Sequence, residues 1–193
     1  MDENEVMLLD TDDFNDSDRL VLSIISNSGK SIMRTRLQKS ALVYSKVFGD
    51  IVKHIAYSFG GYSEDVDESV DTLLDVGAIT DTKNGYALTP YGKNMADFLR
   101  RVSSEYVDVD AHSKQLSNAL NGVSDRELVG LTYHLYPETS EGSIIKESVD
   151  RLNKTLSVNG KDLSDFDLKS FEREIKAGNP IKVTEKRGRR NGF

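Results

Sequence analysis

The segment from residue 63 to residue 92, SEDVDESVDTLLDVGAITDTKNGYALTPYG, most constrains the fold of this chain. Residues 64–75 carry apolar side chains at helical spacing, and strand-like residues flank Asn84-Gly85. An Asn-Gly pair between two such runs favours a hairpin, because both central residues of a type I′ turn need positive φ. The segment therefore predicts a helix, a hairpin that turns at Asn84-Gly85, and a further helix that begins at Thr89-Pro90.

A helix followed at once by a hairpin is typical of a winged helix. A first helix is predicted to begin near Asp16 or Ser17 and to end at Gly29. In a second helix, one apolar stripe is predicted to be buried and the basic residues beside it to face solvent. Gly49 is predicted to break or kink this helix. The stripe consists of Leu37, Ala41, Tyr44, Phe48, Ile51 and Ile55.

The sequence predicts a mainly α protein with a small β wing. We expect an acidic N-terminal segment over residues 1–15 and a winged helix-turn-helix domain over 16–106. A helical C-terminal extension over 107–180 includes a capping box at Ser124 and Glu127, and a basic, flexible tail is expected over 181–193. Residues 181–183 could instead pair as an edge strand.

Composition excludes several classes of function. Without cysteine, the chain has no disulfide, thiolate zinc site, iron–sulfur cluster or cysteine nucleophile. No apolar run approaches the roughly 18 to 20 residues that span a bilayer, and the acidic first residues do not resemble a secretory signal. We therefore expect a cytoplasmic protein with no membrane contact.

No motif indicates an enzyme. His54, His112 and His134 are scattered without the spacing of a metal site, and Gly60-Gly61 lacks the surrounding residues of a phosphate-binding loop. The abundant carboxylates give no sign of a pair with different pKa values, which acid–base catalysis needs. We expect no catalytic residues, no metal and no cofactor.

Five short motifs lie along the chain: Leu37-Gln38-Lys39, Gly60-Gly61-Tyr62-Ser63, Leu73 to Ile79, Tyr86-x-Leu88-Thr89-x-x-Gly92, and Leu128 to Tyr133 with Leu135-Tyr136-Pro137. In these motifs the chain resembles a family of mostly uncharacterised prokaryotic winged-helix proteins that includes the YwgA-like proteins and, more distantly, the SocA-like (Panacea) antitoxin-associated domain. The resemblance spans roughly residues 17–156 and implies the winged-helix fold. It departs from the family at Gly61, where many relatives have proline. It also implies a regulator or interaction module without catalytic residues.

The leading functional prediction is a DNA-associated transcriptional regulator that binds duplex DNA. A net charge of −7 and carboxylates along residues 64–75 argue against a recognition helix there, because like charges repel. Phosphate contacts are instead predicted from the second helix, the wing tip and the C-terminal tail. The predicted DNA-binding residues are Arg34, Arg36, Lys39, Lys46, Lys83, Lys186, Arg187, Arg189 and Arg190.

The alternative is a protein-interaction or antitoxin-like adaptor module that does not bind DNA directly. Its predicted contact surface is the acidic third helix, through Glu64, Asp67, Glu68 and Asp71. The partner would be a basic protein or a second copy of the chain, since acidic and basic helices within one domain could pair as a homodimer. Aromatic residues near the wing, including Phe59 and Tyr62, are predicted to lie in the core.

Overall fold

The computed structural model describes residues 11 and 13–186. In this part of the chain the protein is mainly α with small antiparallel sheets, as predicted. The helices are α1 (Asp16–Asn27), α2 (Arg34–Phe48), α3 (Glu64–Asp75), α4 (Pro90–Val102), α5 (Ser104–Leu120), α6 (Asp125–Leu135), α7 (Lys146–Asn153) and α8 (Leu168–Ala177). The strands are β1 (Ile79–Thr82), β2 (Gly85–Leu88), β3 (Leu156–Val158), β4 (Lys161–Asp162) and β5 (Val183–Glu185).

The first two helices begin and end largely where their sequences indicate. A capping box between Asn15 and Asp18 opens α1, since each side chain accepts a hydrogen bond from the other residue's backbone N–H. Helix α2 stops at Phe48, because Gly49 adopts a φ of 148° that no helix accommodates. The predicted break at Gly49 is confirmed. The predicted burial of Ile55 is wrong, because this side chain lies in the loop beyond the break and is exposed.

The hairpin between β1 and β2 forms at the predicted place but with a different turn. Thr82 pairs with Gly85, so Lys83 and Asn84 are the loop residues. Of the turn residues Thr82 to Gly85, only Gly85 has a positive φ, 99°. A type I′ turn needs positive φ at both central residues, so the predicted type I′ turn at Asn84-Gly85 is wrong. The Thr82 hydroxyl accepts a hydrogen bond from Asn84 N and donates to Gly85 O, which fixes the turn.

The hairpin is bound to the segment between α1 and α2. Ile32 N donates to Tyr86 O at 2.8 Å, and Tyr86 N donates to Ile32 O at 3.0 Å. A Cβ atom on Gly85 would lie 2.2 Å from Ile32 O, so glycine is required here by close approach as well as by φ. Ile32 thus adds an antiparallel bridge beside β2.

The C-terminal part contains a second sheet that the sequence does not clearly predict. Strand β3 lies between β4 and β5, and Asn159-Gly160 turns the chain from β3 to β4 with φ values of 50° and 82°. Because β5 pairs with β3 and Ile181 is buried, the predicted flexible tail is wrong for residues 181–186. The edge-strand alternative is confirmed at Val183.

One hydrophobic cluster runs through the described residues. It joins Leu20 of α1 and Leu37 of α2 to Leu116 of α5 and Phe171 of α8. The domain boundary predicted between residues 106 and 107 falls inside α5, which is continuous and packs on α1. Tyr106, at that boundary, is fully buried. The predicted winged-helix and helical regions therefore share one core.

Candidate functional site

Arg34 and Asp67, predicted to bind different partners, form an ion pair with each other. The Arg34 guanidinium donates both to Asp67 Oδ1, at 3.2 Å from Nε, and to Oδ2. Gln38 Nε2 and the Tyr62 hydroxyl also donate to this carboxylate, at 3.0 and 2.7 Å. Burial favours the neutral acid, but these hydrogen bonds outweigh it and hold the pKa of Asp67 below its ordinary value. The network ties α2 to α3.

Arg36 and Lys39, also predicted to contact DNA, bind backbone carbonyls of their own chain. Arg36 donates to Leu120 O and Val123 O at 2.8 and 2.7 Å and pairs with Asp125 at 3.0 Å. Lys39 was predicted to face solvent, and this is wrong, since only 3% of the residue is exposed. Its stem passes between packed residues, and its ammonium ends at the loop before α3 rather than in solvent.

The other predicted DNA contacts divide into three groups. Lys46 pairs with Glu138 at 3.0 Å and lies 5.9 Å from the centroid of the Tyr136 ring, and Lys186 pairs with Asp162. Lys83 is exposed at the hairpin tip, with no ion pair to another described residue. Arg187, Arg189 and Arg190 lie outside the described residues. Among the predicted cations in the described part of the chain, only Lys83 is both exposed and without an ion pair.

The acidic third helix keeps an exposed outer face. Glu64, Glu68 and Asp71 are exposed and form no ion pair with any residue in the described part of the chain. Its inner face, with Val66, Val70 and Leu73, is buried. Apart from Asp67, the predicted protein-contact residues of α3 are thus accessible.

The loop of residues 49–63 is bound by hydrogen bonds from two side chains of α2, Lys39 and Gln38. Lys39 Nζ donates to Phe59 O at 3.0 Å and to Gly61 O at 2.8 Å, and it lies 5.9 Å from the centroid of the Tyr133 ring. Burial lowers the pKa of Lys39 to about 8 and that of His54, in the same loop, to about 4. Gln38 fixes the end of the loop, because it donates to Ser63 O and accepts from Ser63 N.

Replacing Lys39 with methionine is expected to free this loop. Methionine keeps most of the apolar stem, but it leaves Phe59 O and Gly61 O without their donor, which costs about 1–3 kcal/mol per buried group. Relief of the buried charge offsets part of this cost. The amides of Gly60 and Tyr62, which bond to Tyr57 O and Ile55 O, should exchange with solvent at least about tenfold faster.

Lys46→Met on the same helix is the matched control, since Lys46 binds Glu138 instead of the loop. Its exchange rates at positions 60 and 62 should equal those of the unmodified protein. Equal rates in the Lys39→Met variant would show that the Lys39 ammonium does not hold the loop.

The fixed loop presents a group of large apolar side chains to solvent. Ile55, Tyr57 and Phe59 are 55%, 53% and 56% exposed, and Ile144 is 74% exposed. Ile144 joins this group because its N–H donates to Ser58 O at 3.0 Å. The predicted burial of Phe59 is wrong. Tyr57 and Ile144 are not among the residues predicted to bind a partner, and their only signal in the sequence is that neither belongs to a periodic apolar stripe.

We call these four apolar residues, together with Glu64, Glu68 and Asp71, the candidate interaction surface. Its two parts adjoin, because Ile55 pairs with Tyr62 immediately before α3, and Lys53 N donates to Asp65 Oδ2 in the first turn of the helix. Clustered exposed apolar side chains beside polar groups are typical of protein-binding surfaces.

The residues described form neither a cluster of metal ligands nor a helix suited to crossing a membrane. Within them, no three His, Asp or Glu side chains are grouped as metal ligands, and no helix combines the length and the apolar character that crossing a bilayer requires. Comparison with known proteins finds no matching family model, no matching curated protein and no matching solved structure. The family resemblance noted in the sequence stays a prediction.

Proposed function

We propose that this protein is an interaction module of the winged-helix type that binds a partner protein carrying apolar and basic side chains. The observation that carries the proposal is the candidate interaction surface, in which apolar side chains of a loop bound by Lys39 lie beside acidic side chains of α3 that pair with no described residue. A preformed apolar centre with a charged rim is the usual anatomy of a protein interface.

The winged-helix part of the proposal rests on element order. Among the described residues, α1, α2 and α3 precede the β1–β2 hairpin, and Ile32, between α1 and α2, pairs with Tyr86 on the hairpin. This arrangement supports a three-stranded wing with β2 in its centre.

A different protein suits this surface better than a second copy of the chain. Homodimer formation by charge would need free cations on α2 to meet the acidic face of α3. Arg34, Arg36, Lys39 and Lys46 contact groups of their own chain instead. For Arg36 and Lys39, which donate to buried or partly buried backbone carbonyls, breaking these contacts would cost more than a new surface ion pair contributes, since exposed pairs contribute about 0–1 kcal/mol.

Duplex DNA is the rival partner, and the exposed Lys83 at the hairpin tip favours it. Residues 187, 189 and 190 would have to supply further phosphate contacts. With so few cations, affinity should be weak and should fall steeply with salt. We propose that this protein lies in the cytoplasm, whichever of the two partners it binds.

The test begins with a photo-crosslinking amino acid at position 59, introduced in the native cell, followed by mass spectrometry of the crosslinked protein. The partner so identified is then purified and titrated against the full chain. Phe59→Ser should weaken binding at least about tenfold, because it removes an aromatic anchor. The double variant Glu68→Lys with Asp71→Lys should weaken it and remove its salt dependence. Asp67 is left unchanged because it holds α2 against α3.

Asp165→Lys, an exposed charge reversal outside the surface, is the matched control and should bind normally. The proposal fails if a bound partner is insensitive to both surface variants. It also fails if the chain binds a mixed-sequence duplex at low salt and loses that binding when Lys83, Arg187, Arg189 and Arg190 are neutralised.

A further inference from the structure

Three Asn-Gly pairs lie in the described part of the chain, and each has different surroundings. They are Asn84-Gly85, Asn121-Gly122 and Asn159-Gly160, and all three asparagines are exposed to solvent. Asparagine is chemically labile, and a following glycine makes it more so, because no Cβ atom hinders the approach of the glycine nitrogen to the asparagine side chain. The pairs share this local chemistry, so any difference in their reactivity comes from the fold.

The pair at residue 159 is held by Lys182. Asn159 N donates to Lys182 O at 2.8 Å, and Asn159 Oδ1 accepts from Lys182 N at 3.0 Å. Both contacts join the end of β3 to the residue before β5. The side-chain carbonyl of Asn159 would have to give up its bond to Lys182 in order to turn toward Gly160, and this bond therefore protects the pair.

The pair at residue 121 is held through its neighbours. Asn121 caps α5 with helical backbone angles, φ −57° and ψ −36°. Arg36 donates to Leu120 O, just before the pair, at 2.8 Å and to Val123 O, just after it, at 2.7 Å. Hydrogen bonds from a charged donor are stronger than those between neutral groups. The two Arg36 contacts therefore oppose rotation of the backbone at Asn121.

The pair at residue 84 lacks such contacts. The Asn84 side chain is exposed at the hairpin tip and forms no hydrogen bond with a described residue. The turn is fixed by the Thr82 hydroxyl, which binds Asn84 N at 3.1 Å and Gly85 O at 2.7 Å. Both of these hydrogen bonds are neutral and exposed to water, so they resist rotation less than the Arg36 contacts do.

We propose that Asn84 is a site of spontaneous deamidation, which places a carboxylate at the hairpin tip. Gly85 N loses its proton to solvent and attacks the side-chain carbonyl carbon of Asn84. The new C–N bond closes a succinimide ring, the bond to the side-chain nitrogen breaks, and ammonia leaves with a proton from solvent. Water then opens the ring at one of its two carbonyls and gives aspartate or isoaspartate. The new charge lies beside Lys83 and offsets it.

The two products should differ in their effect on the hairpin. Aspartate leaves the backbone unchanged, so Thr82 keeps its bonds to residue 84 and to Gly85. Isoaspartate adds one carbon to the backbone before Gly85, which displaces this glycine from its close approach to Ile32. The isoaspartyl form should therefore lose the bridge between Ile32 and Tyr86. This inference does not depend on the proposed protein partner, because Asn84 lies outside the candidate interaction surface.

The experiment is incubation of the full chain in mildly alkaline buffer, followed by protease digestion and mass spectrometry of the three Asn-Gly peptides. Asn84 should deamidate at least about tenfold faster than Asn121 and Asn159, because their hydrogen bonds add to the activation barrier. In denaturant the three rates should become similar, since the local chemistry is the same. The denatured chain thus separates the effect of the fold from that of the sequence.

Thr82→Val tests whether the turn controls the reaction. Valine keeps the branched shape but removes both hydroxyl contacts, so Asn84 should react several-fold faster while the Asn159 rate stays unchanged. In the separated isoaspartyl form, the Tyr86 amide should exchange at least about tenfold faster than in the Asn84→Asp variant. The inference is overturned if Asn84 reacts no faster than Asn121 and Asn159 in the folded protein, or if Thr82→Val leaves its rate unchanged.

Discussion

Replacing Gly92 with alanine is expected to destabilise the protein by about 3 kcal/mol or more, and to lower its melting temperature by roughly 6–12 °C. Gly92 lies in the first turn of α4, where a Cβ atom would be 1.9 Å from the carbonyl oxygen of Ala78. That oxygen accepts hydrogen bonds from Thr89 N at 3.0 Å and from the Thr89 hydroxyl at 3.1 Å. Relieving the clash would separate α4 from the start of β1.

Helix propensity alone predicts the opposite sign for this substitution. Alanine is more favourable than glycine in a helix by about 1 kcal/mol, so Gly92→Ala would stabilise an isolated α4. Thermal unfolding followed by circular dichroism decides between the two expectations. Gly122→Ala is the control, since its Cβ would meet only Ile181 O, at 3.9 Å, and should change stability by less than about 0.5 kcal/mol. A melting temperature for Gly92→Ala at or above that of the unmodified protein would contradict the described contact.

Replacing Asp110 with asparagine is expected to cost about 2–3 kcal/mol at neutral pH, or roughly 4–12 °C in melting temperature. The Asp110 carboxylate accepts hydrogen bonds from Arg100 Nε and Nη2 at 2.7 and 2.9 Å. Asn27 and Ser23 of α1 donate to it as well, at 2.8 and 3.1 Å. Its side chain is only 15% exposed, so the variant leaves the Arg100 charge poorly compensated in a partly buried place.

The pH dependence of this effect follows from the pKa of Asp110. Burial favours the neutral acid, but hydrogen bonds from Arg100 and Asn27 outweigh it and hold the pKa below its ordinary value. A carboxyl whose pKa is lower in the folded state stabilises the fold fully above its unfolded pKa, about 3.9. That contribution is lost as the pH falls through the folded pKa. The stability difference between Asp110→Asn and the unmodified protein should therefore be constant from pH 5 to 8 and should shrink below pH 4.

Asp97→Asn is the matched control, because Asp97 also binds Arg100, at 2.6 Å, but is 53% exposed. Exposed pairs contribute little, so this variant should lose less than about 0.5 kcal/mol.

The Asp110 variant also tests the predicted domain boundary between residues 106 and 107, since Asp110 lies after this boundary and its hydrogen-bond partners lie before it. A single, shifted unfolding transition is expected. Two transitions, with the first unchanged, would show that residues 107–180 unfold independently.

The residues that carry the family resemblance contact one another in the structure. Lys39 and Gln38 of the Leu37-Gln38-Lys39 motif bind Gly61 and Ser63 of the second motif. Gly92 and Tyr86, from the hairpin motif, lie against Ala78 and Ile32. These motif residues hold the loop and the hairpin in place.

Much of the secondary structure could be predicted because it depends on interactions between residues close together in sequence, such as helix caps and glycine turns. Asn15, Ser124 and Thr89 accept hydrogen bonds within the first turns of their helices, and Gly49 and Gly178 end helices through their backbone angles. The second sheet was harder to predict, because β3 and β4 have only three and two residues and β5 is distant in sequence. Hydrogen bonds across such distances leave no local pattern.

The sequence by itself determined the helices, the hairpin position and the acidic character of α3, because each depends on residues a few positions apart. Only the tertiary structure decided which charges are available. Lys39 and Arg36 look like solvent-facing cations in sequence, yet each finds backbone carbonyls from another part of the chain. Phe59 looks like a core residue, yet the same Lys39 contact holds its loop at the surface. A charge or an apolar group takes its role from the neighbours that folding brings to it, and those neighbours are distant in sequence.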